Sequence, residues 1–141
     1  MYIQLLALDV DGVLTDGHLT YTSEGEELKA FNTLDGLGLT ALRQAGVQLA
    51  IITGRRSAIV ERRAKELHID HLHMGCGNKT QALMEICQEQ GLDLKRVAYM
   101  GDDLNDLGPL SHVGLALAPA NACDEAKALA SYITTKVGGQ G

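Results

Sequence analysis

One stretch decides how the sequence is interpreted: Leu5-Leu6-Ala7-Leu8-Asp9-Val10-Asp11-Gly12-Val13-Leu14-Thr15. It begins as an apolar run and ends in two carboxylates, Asp9 and Asp11, with a glycine directly after them. Residues 3–10 are apolar at nearly every position, which predicts a central parallel strand covered on both faces. Two anions at the end of a buried strand repel each other and resist desolvation, so they need a compensating charge. A divalent cation supplies that charge most simply.

The composition is that of a single globular domain. The chain has 141 residues, of which 45% are hydrophobic and 21% charged, enough to build one core. The net charge is -6 and the basic residues form no long run, which argues against a nucleic-acid or membrane-surface partner. No apolar run reaches the length of a membrane span, and the N-terminus lacks the basic region of a signal peptide. Three cysteines without a Cys-x-x-Cys pair fit reduced thiols, so we expect a cytoplasmic protein.

Strands and helices alternate along most of the chain. After the first strand, the expected strands cover residues 47–52, 69–73, 97–100, 113–117 and 132–133. Five helices are expected. Three begin at the caps Asp35, Ser57 and Asn78, a short fourth helix leads to Pro109, and the fifth covers 122–130. This alternation predicts a three-layer, Rossmann-like α/β fold in one domain, 1–141, with a central parallel sheet and helices on both faces.

Two segments fall outside this alternation. Residues 18–31 predict a β-hairpin insertion, because apolar and polar residues alternate around Leu19 and Tyr21 and a turn follows at 23–26. The helix after it, capped by Asp35, is expected to bury a face with Leu37, Ala41, Leu42 and Ala45. Residues 138–141 are expected to be a loose tail, such as a truncation would leave.

Polar side chains follow three of the predicted strands. In open parallel sheets, ligands bind at the carboxyl ends of the strands. The residues expected at this edge are Asp9 and Asp11, Thr53, Asp102 and Asp103, together with Lys79 at the start of a helix that points the same way. One cleft would thus hold several carboxylates, one hydroxyl and one ammonium.

This set of groups suits phosphoryl transfer. The carboxylates would bind a hard cation that prefers oxygen ligands, and Mg²⁺ fits best because it also retains waters and substrate phosphate. Lys79, at a helix N-terminus, would hold the phosphoryl group. A carboxylate beside the metal can attack phosphorus and form an aspartyl-phosphate. The second carboxylate can protonate the leaving oxygen and then deprotonate water.

Four segments in this order resemble the motifs of the haloacid dehalogenase-like phosphatase superfamily: 9–15, 52–55, Lys79 and 101–106. The resemblance implies that Asp9 is the nucleophile and Asp11 the general acid and base. It also implies that Asp9, the backbone carbonyl of Asp11, and Asp102 hold Mg²⁺.

The same resemblance gives the remaining residues of the motifs their roles. Thr53 and Lys79 would bind the phosphoryl group. Asp103 and Asp106 are expected to support the metal site rather than to bind the ion directly.

The spacing of the motifs leaves no room for a cap domain. About forty residues separate the first two motifs, and the hairpin and one helix occupy most of them. With residues 9–17, 35–36, 53–57 and 75–79, this spacing resembles the capless 3-deoxy-D-manno-octulosonate 8-phosphate phosphatases. The resemblance implies a sugar-phosphate substrate in lipopolysaccharide synthesis. It also implies a homotetramer whose hairpins form a central barrel and in which a neighbouring subunit caps each site.

Substrate contacts and substrate identity stay open at this point. Arg55 is a candidate for the substrate carboxylate, since its guanidinium suits a bidentate contact, whereas Arg56 is expected at the surface. Asn32 and Asp35 are possible further contacts. The alternative functions are a phosphatase for a nine-carbon, sialic-type keto-acid phosphate, a phospho-acceptor signalling module, and a catalytically idle regulatory domain of the same fold.

Overall fold

A central parallel sheet carries the fold of the protein in the computed structural model, which describes residues 2–141. Six strands of this part of the chain lie in the order β5-β4-β1-β6-β7-β8, and every neighbouring pair is parallel. Their bounds are β1 Leu5–Leu8, β4 Gln48–Ile52, β5 His71–His73, β6 Val97–Met100, β7 Leu115–Ala118 and β8 Tyr132–Ile133. The predicted α/β fold class is confirmed.

Strand β1 lies in the middle of the sheet, where its residues pair with β4 on one side and β6 on the other. Leu8 is level with Ile51 of β4 and with Met100 of β6. The chain segments that leave these three strands therefore meet at one place on the carboxyl edge of the sheet. This register brings the residues after β1, β4 and β6 together.

Helices cover both faces of the sheet. The bounds are α1 Thr33–Gln44, α2 Ala58–Glu66, α3 Lys79–Gln90, α4 Leu107–His112 and α5 Asp124–Leu129. Side chains of β1 alternate between two cores, since Leu5 packs in the cluster that includes α3 and Leu8 in the cluster that includes α1 and α2. Within the described residues, no helix has the length and apolar character needed to cross a membrane.

The predicted caps of α2 and α3 are confirmed, but that of α1 is wrong. Ser57 and Asn78 accept hydrogen bonds from the backbone N–H groups of Val60 and Gln81. Helix α1 begins earlier than expected, because its N-cap is Asn32 and Asp35 lies in the first turn.

The buried face of α1 also differs from the prediction. Leu39 is buried in the core, whereas Leu37 is 70% exposed. Moving the cap from Asp35 back to Asn32 does not itself rotate the face. The leucines at 34, 37, 39 and 42 fit more than one helical stripe, and packing against the sheet selects the one that contains Leu39.

Three further boundaries are corrected. The short helix expected to lead to Pro109 instead contains it, because Pro109 is the third residue of α4, where a backbone N–H has no intrahelical acceptor. The strand expected over 113–117 is β7, Leu115–Ala118, and the helix expected over 122–130 is α5, Asp124–Leu129.

The hairpin predicted over residues 18–31 is confirmed. It consists of the antiparallel strands β2, Thr20–Tyr21, and β3, Glu27–Leu28, joined by a turn in which Glu26 O accepts from Thr22 N. It forms a separate two-stranded sheet. Leu19, Tyr21 and Leu28 of the hairpin are each more than half exposed, so it projects with an apolar surface.

The tail expected to be loose is packed against the loop that follows β1. Gly138 N donates to Asn121 Oδ1 at 2.7 Å, and Asn121 Nδ2 donates to Gly12 O at 3.0 Å. Gly139 O accepts from Asn32 Nδ2. An added Cβ at Gly138 would overlap the backbone of Gly12, so this close approach requires glycine.

Candidate active site

The polar residues predicted at the strand ends meet in one cavity of about 260 Å³ at the carboxyl edge of the sheet. Seven of the residues singled out in the sequence line it: Asp9, Asp11, Thr53, Arg55, Lys79, Asp102 and Asp103. The loops after β1, β4 and β6 and the first turn of α3 supply these side chains. The cavity therefore combines three strand ends with one helix N-terminus.

Asp9 directly follows β1 and is 6% exposed. Its Oδ1 accepts from the backbone N–H of Val10 at 2.8 Å and lies 3.1 Å from Lys79 Nζ. Burial raises the pKa of Asp9 to about 8, and the charge of Asp106 adds to the rise while Lys79 opposes it. One ammonium is therefore insufficient to keep this carboxyl ionised, so the site favours a further positive charge.

Lys79 is the first residue of α3, and the Asn78 cap fixes the direction in which the helix begins. The lysine is 4% exposed, and its Nζ lies 2.9 Å from Asp106 Oδ1 in addition to its contact with Asp9. Burial lowers the pKa of Lys79, but the charges of Asp9 and Asp106 outweigh burial and raise it. Lys79 is thus a fixed positive charge at the floor of the cavity.

Asp106 is completely buried and acts as the hub beneath the site. Its Oδ1 accepts from Tyr99 OH and Lys79, and its Oδ2 accepts from the backbone N–H groups of Asp102 and Asp103. With both oxygens engaged, Asp106 orients the neighbouring groups. A supporting role for Asp106 at the metal site stays a prediction.

Asp102 approaches Asp9 across the loop that contains Gly12. Carboxylate oxygens of Asp9, Asp102 and Asp106 lie within 4.8 Å of one another. Burial raises the pKa of Asp102 to about 6, the hydrogen bond with Asp9 opposes the rise, and the charge of Asp106 adds to it. Gly12 has φ +86°, and a Cβ there would overlap Asp102 Oδ2. Glycine is therefore required for the two carboxylates to come together.

Asp11 also lines the cavity, and it lies outside the cluster formed by Asp9, Asp102 and Asp106. Its Oδ1 lies 2.7 Å from Nζ of Lys29, which follows β3. Sequence analysis missed Lys29, since no local pattern reveals a contact between residues 18 positions apart. It also missed Tyr99, although a tyrosine within a buried strand is a signal, because its hydroxyl needs a partner.

Thr53 and Arg55 lie on the β4 side of the cavity. Thr53 is 2% exposed, and its Oγ1 accepts from the backbone N–H of Arg55 at 3.4 Å. The Arg55 side chain is 41% exposed and lies 3.3 Å from Glu27 Oε1. Arg56 is outside the lining, as expected, and packs beside Gly75.

Two residues considered as substrate contacts are not brought to the cavity. Asn32 uses Oδ1 to cap α1 and Nδ2 to hold Gly139 O, so its amide is occupied by structural bonds. Asp35 lies in the first turn of α1, beside residues of the C-terminal segment. The structure therefore does not bring Asn32 and Asp35 to the lining of this cavity, and their contact with substrate stays a prediction.

The arrangement suits transfer of a phosphoryl group. Two carboxylates with unmet negative charge can share a divalent cation, and the same cavity presents an ammonium and a hydroxyl, which are groups that bind phosphate oxygens. A further carboxylate, that of Asp11, also lines the cavity. The fold and site together define the class of haloacid dehalogenase-like hydrolases, and a family model of that description matches residues 75–141.

Comparison with known proteins gives the particular family. The chain is 43% identical over 139 residues to the 3-deoxy-D-manno-octulosonate 8-phosphate phosphatase of Escherichia coli K12, covering 99% of this chain and 74% of that protein. It belongs to the family of 3-deoxy-D-manno-octulosonate 8-phosphate phosphatases.

Solved structures agree with this assignment. A crystal structure of the 3-deoxy-D-manno-octulosonate 8-phosphate phosphatase from Moraxella catarrhalis, in complex with magnesium ion, phosphate ion and a KDO molecule, has a TM-score of 0.95 and 51% identity. The match covers 97% of this chain and 79% of that chain. The Yersinia pestis phosphatase has a TM-score of 0.96 and 43% identity over 99% of this chain and 75% of that one. The cobalt-bound phosphatase from Haemophilus influenzae has a TM-score of 0.92 and 36% identity, and the match covers 97% of this chain and 80% of that chain.

Proposed function

We propose that this protein is a Mg²⁺-dependent phosphatase that hydrolyses 3-deoxy-D-manno-octulosonate 8-phosphate to the free sugar acid and phosphate, in lipopolysaccharide synthesis. One observation carries the proposal: Asp9 and Asp102 converge at a cavity that also presents Lys79 and Thr53. The named relatives support the choice of substrate.

The residues at the cavity fit Mg²⁺. Asp9 and Asp102 would supply carboxylate oxygens, which are the donor type this ion prefers. The backbone carbonyl of Asp11 would supply a third oxygen, as the family resemblance implies. The raised pKa values of Asp9 and Asp102 indicate that the protein alone leaves their charge poorly compensated. Bound Mg²⁺ would neutralise these carboxylates and the phosphoryl oxygens that approach them.

The chain's own residues then divide the reaction into two steps. In the first, an Asp9 carboxylate oxygen forms a bond to phosphorus while the bond from phosphorus to the sugar oxygen breaks. The sugar oxygen takes a proton from Asp11. In the second, water gives a proton to Asp11, its oxygen bonds to phosphorus, and the bond to Asp9 breaks. Asp11 regains the proton that it lost, and Asp9 is restored.

Binding groups hold the substrate at both of its ends. Lys79 and Thr53 face the phosphoryl oxygens, with the ammonium in place before substrate arrives because Asp106 fixes it. Arg55 is partly exposed at the rim, where its guanidinium suits the carboxylate of a sugar acid.

We further propose a homotetramer, in the cytoplasm, in which a neighbouring subunit covers the cavity. The hairpin presents Leu19, Tyr21 and Leu28 to solvent, and exposed apolar surface of this kind marks interfaces. Sedimentation at micromolar concentration should give a tetramer, and Tyr21→Ser should weaken it. A wild-type monomer would contradict this part of the proposal.

The function is tested by phosphate release from a panel of sugar phosphates, with Mg²⁺ and with EDTA. The expected result is Mg²⁺-dependent turnover with the highest kcat/KM for 3-deoxy-D-manno-octulosonate 8-phosphate. A preference for a nine-carbon keto-acid 9-phosphate would replace the substrate but keep the chemistry. Absence of turnover on every ester would favour an idle regulatory domain, and a stable phosphoprotein without turnover would favour a phospho-acceptor module.

A further inference from the structure

Lys29 carries a buried ammonium next to Asp11 of the active site. It follows β3 in the hairpin, and its side chain is 2% exposed. Its Nζ lies 2.7 Å from Asp11 Oδ1 and 3.0 Å from Glu27 Oε1. A buried ammonium is costly unless it is paired, and these two carboxylates are its partners.

The two partners of Lys29 are not equivalent. Glu27 lies in the same hairpin and also lies 3.3 Å from Arg55 Nη2. Asp11 lies in the loop after β1, 18 residues earlier in the sequence. Lys29 is therefore the link by which the hairpin holds the side chain of Asp11.

Lys29 is placed to act through Asp11 and not on the substrate. The described residues that line the cavity include Asp11 and Arg55 but not Lys29. Its Nζ is instead held by the carboxylates of Asp11 and Glu27, at 2.7 and 3.0 Å.

We propose that Lys29 is a positioning residue for proton transfer: by holding Asp11 Oδ1, it directs the other carboxyl oxygen of Asp11 toward the leaving oxygen. Among the described residues, the bond to Lys29 is the side-chain hydrogen bond that holds the Asp11 carboxylate. Asp11 is followed by Gly12, which has a positive φ. The inference rests on the proposed phosphatase function, in which Asp11 protonates the leaving group.

Whether the leaving oxygen needs a proton from Asp11 depends on the leaving group. Comparing two leaving groups therefore tests the role of Lys29. A sugar alkoxide needs a proton in order to leave, whereas 4-nitrophenolate leaves readily without one. The value of kcat/KM reports the steps up to the first irreversible one, which is transfer to Asp9. Loss of positioning should therefore lower kcat/KM more for the sugar phosphate than for 4-nitrophenyl phosphate.

The variants are Lys29→Met and Lys29→Arg, with Lys65→Met at an exposed position of α2 as the matched control. We expect Lys29→Met to lose about tenfold more kcat/KM on the sugar phosphate than on 4-nitrophenyl phosphate. Lys29→Arg, which keeps the charge, should retain more of the sugar-phosphate activity. Lys65→Met should match the wild type on both esters.

Equal losses on the two esters, a greater loss on the aryl ester, or no loss on either would overturn the inference. Thermal melting identifies a variant that fails to fold. If Lys29→Met fails to fold, Lys29→Gln decides by the same ratio, because it removes the charge that holds Asp11 but keeps a polar side chain. A selective loss on the sugar phosphate supports the inference, and an equal loss or none overturns it. A wild-type protein that hydrolyses neither ester overturns the proposed function itself, and the inference with it.

Discussion

The ammonium of Lys79 lies 2.9 Å from the carboxylate of Asp106, which has no exposed surface. This pair is the fixed base of the site, since Asp106 also accepts from Tyr99 and from the backbone of the loop after β6. The lysine that is proposed to hold phosphate is thereby oriented before substrate binds, which is how a site gains electrostatic stabilisation without reorganising.

Asp106→Asn should destabilise the protein. An asparagine carries no charge, so Asp9 becomes the one carboxylate partner of Lys79. Its amide N–H₂ would also face donors that an oxygen of Asp106 now satisfies. The free energy of unfolding should fall by about 3 kcal/mol, as measured by urea denaturation. Asp124→Asn, at an exposed position of α5, is the control and should change it by less than about 0.5 kcal/mol. An Asp106→Asn protein as stable as the wild type would show that the hub is dispensable.

Tyr99→Phe should lower stability by a smaller amount. The side chain is completely buried and its hydroxyl donates to Asp106, so the substitution removes one charge-assisted hydrogen bond. We expect a loss of about 1–2 kcal/mol in the free energy of unfolding. Tyr132→Phe is the matched control, since that tyrosine is 58% exposed. Equal effects of the two substitutions would argue against a role for the Tyr99 hydroxyl.

Gly12→Ala should impair the binding of Mg²⁺ more than a backbone effect alone explains. The added methyl group would displace the Asp102 carboxylate, in addition to the strain at φ +86°. Gly46→Ala is the control because Gly46 has φ +94° but open space around its Cβ position. We expect calorimetry to show about tenfold weaker Mg²⁺ affinity for Gly12→Ala alone. Matching affinities in the two variants would contradict the close approach of Gly12 and Asp102.

The metal-free protein should lose stability as pH rises. The pKa of Asp9 is about 8 in the folded chain, against 3.8 as its ordinary value, so the folded state holds a proton that the unfolded state releases. This stabilisation is complete below about pH 4 and is lost as pH rises through about 8, with Asp102 adding to the loss near pH 6. Saturating Mg²⁺ should therefore raise the melting temperature more at about pH 8.5 than at about pH 5. A rise in melting temperature with Mg²⁺ that is independent of pH would contradict this linkage. In Asp9→Asn, the pH dependence of that rise should be weaker.

The sequence predicted the fold and the convergence of the site because both follow from strong local patterns. Apolar runs that end in Asp9, Thr53 and Asp102 mark parallel strands, and parallel strands place their carboxyl ends at one edge. Caps at Ser57 and Asn78 were also local signals. The cap of α1 was wrong because Asn32 and Asp35 are both good candidates and only three positions apart, so packing decides between them.

The parts that sequence did not reveal depend on contacts distant in the chain. Lys29 reaches Asp11 only because the hairpin folds back over the loop after β1. The segment around Gly138 looked loose, yet it lies against Gly12 through the bridging amide of Asn121. Glycines signal freedom in a sequence, whereas here the absence of a side chain permits close backbone packing.

The most direct test of the account is phosphate release from 3-deoxy-D-manno-octulosonate 8-phosphate by Asp9→Asn in the presence of Mg²⁺. The control is Asp16→Asn, the same chemical change in the same loop at a position bonded to His18. If Asp9 attacks phosphorus, kcat of Asp9→Asn should fall by about 1,000-fold or more while its circular dichroism stays native and Asp16→Asn remains active. A folded Asp9→Asn protein with a rate near that of the wild type would contradict the assignment of Asp9 as the nucleophile.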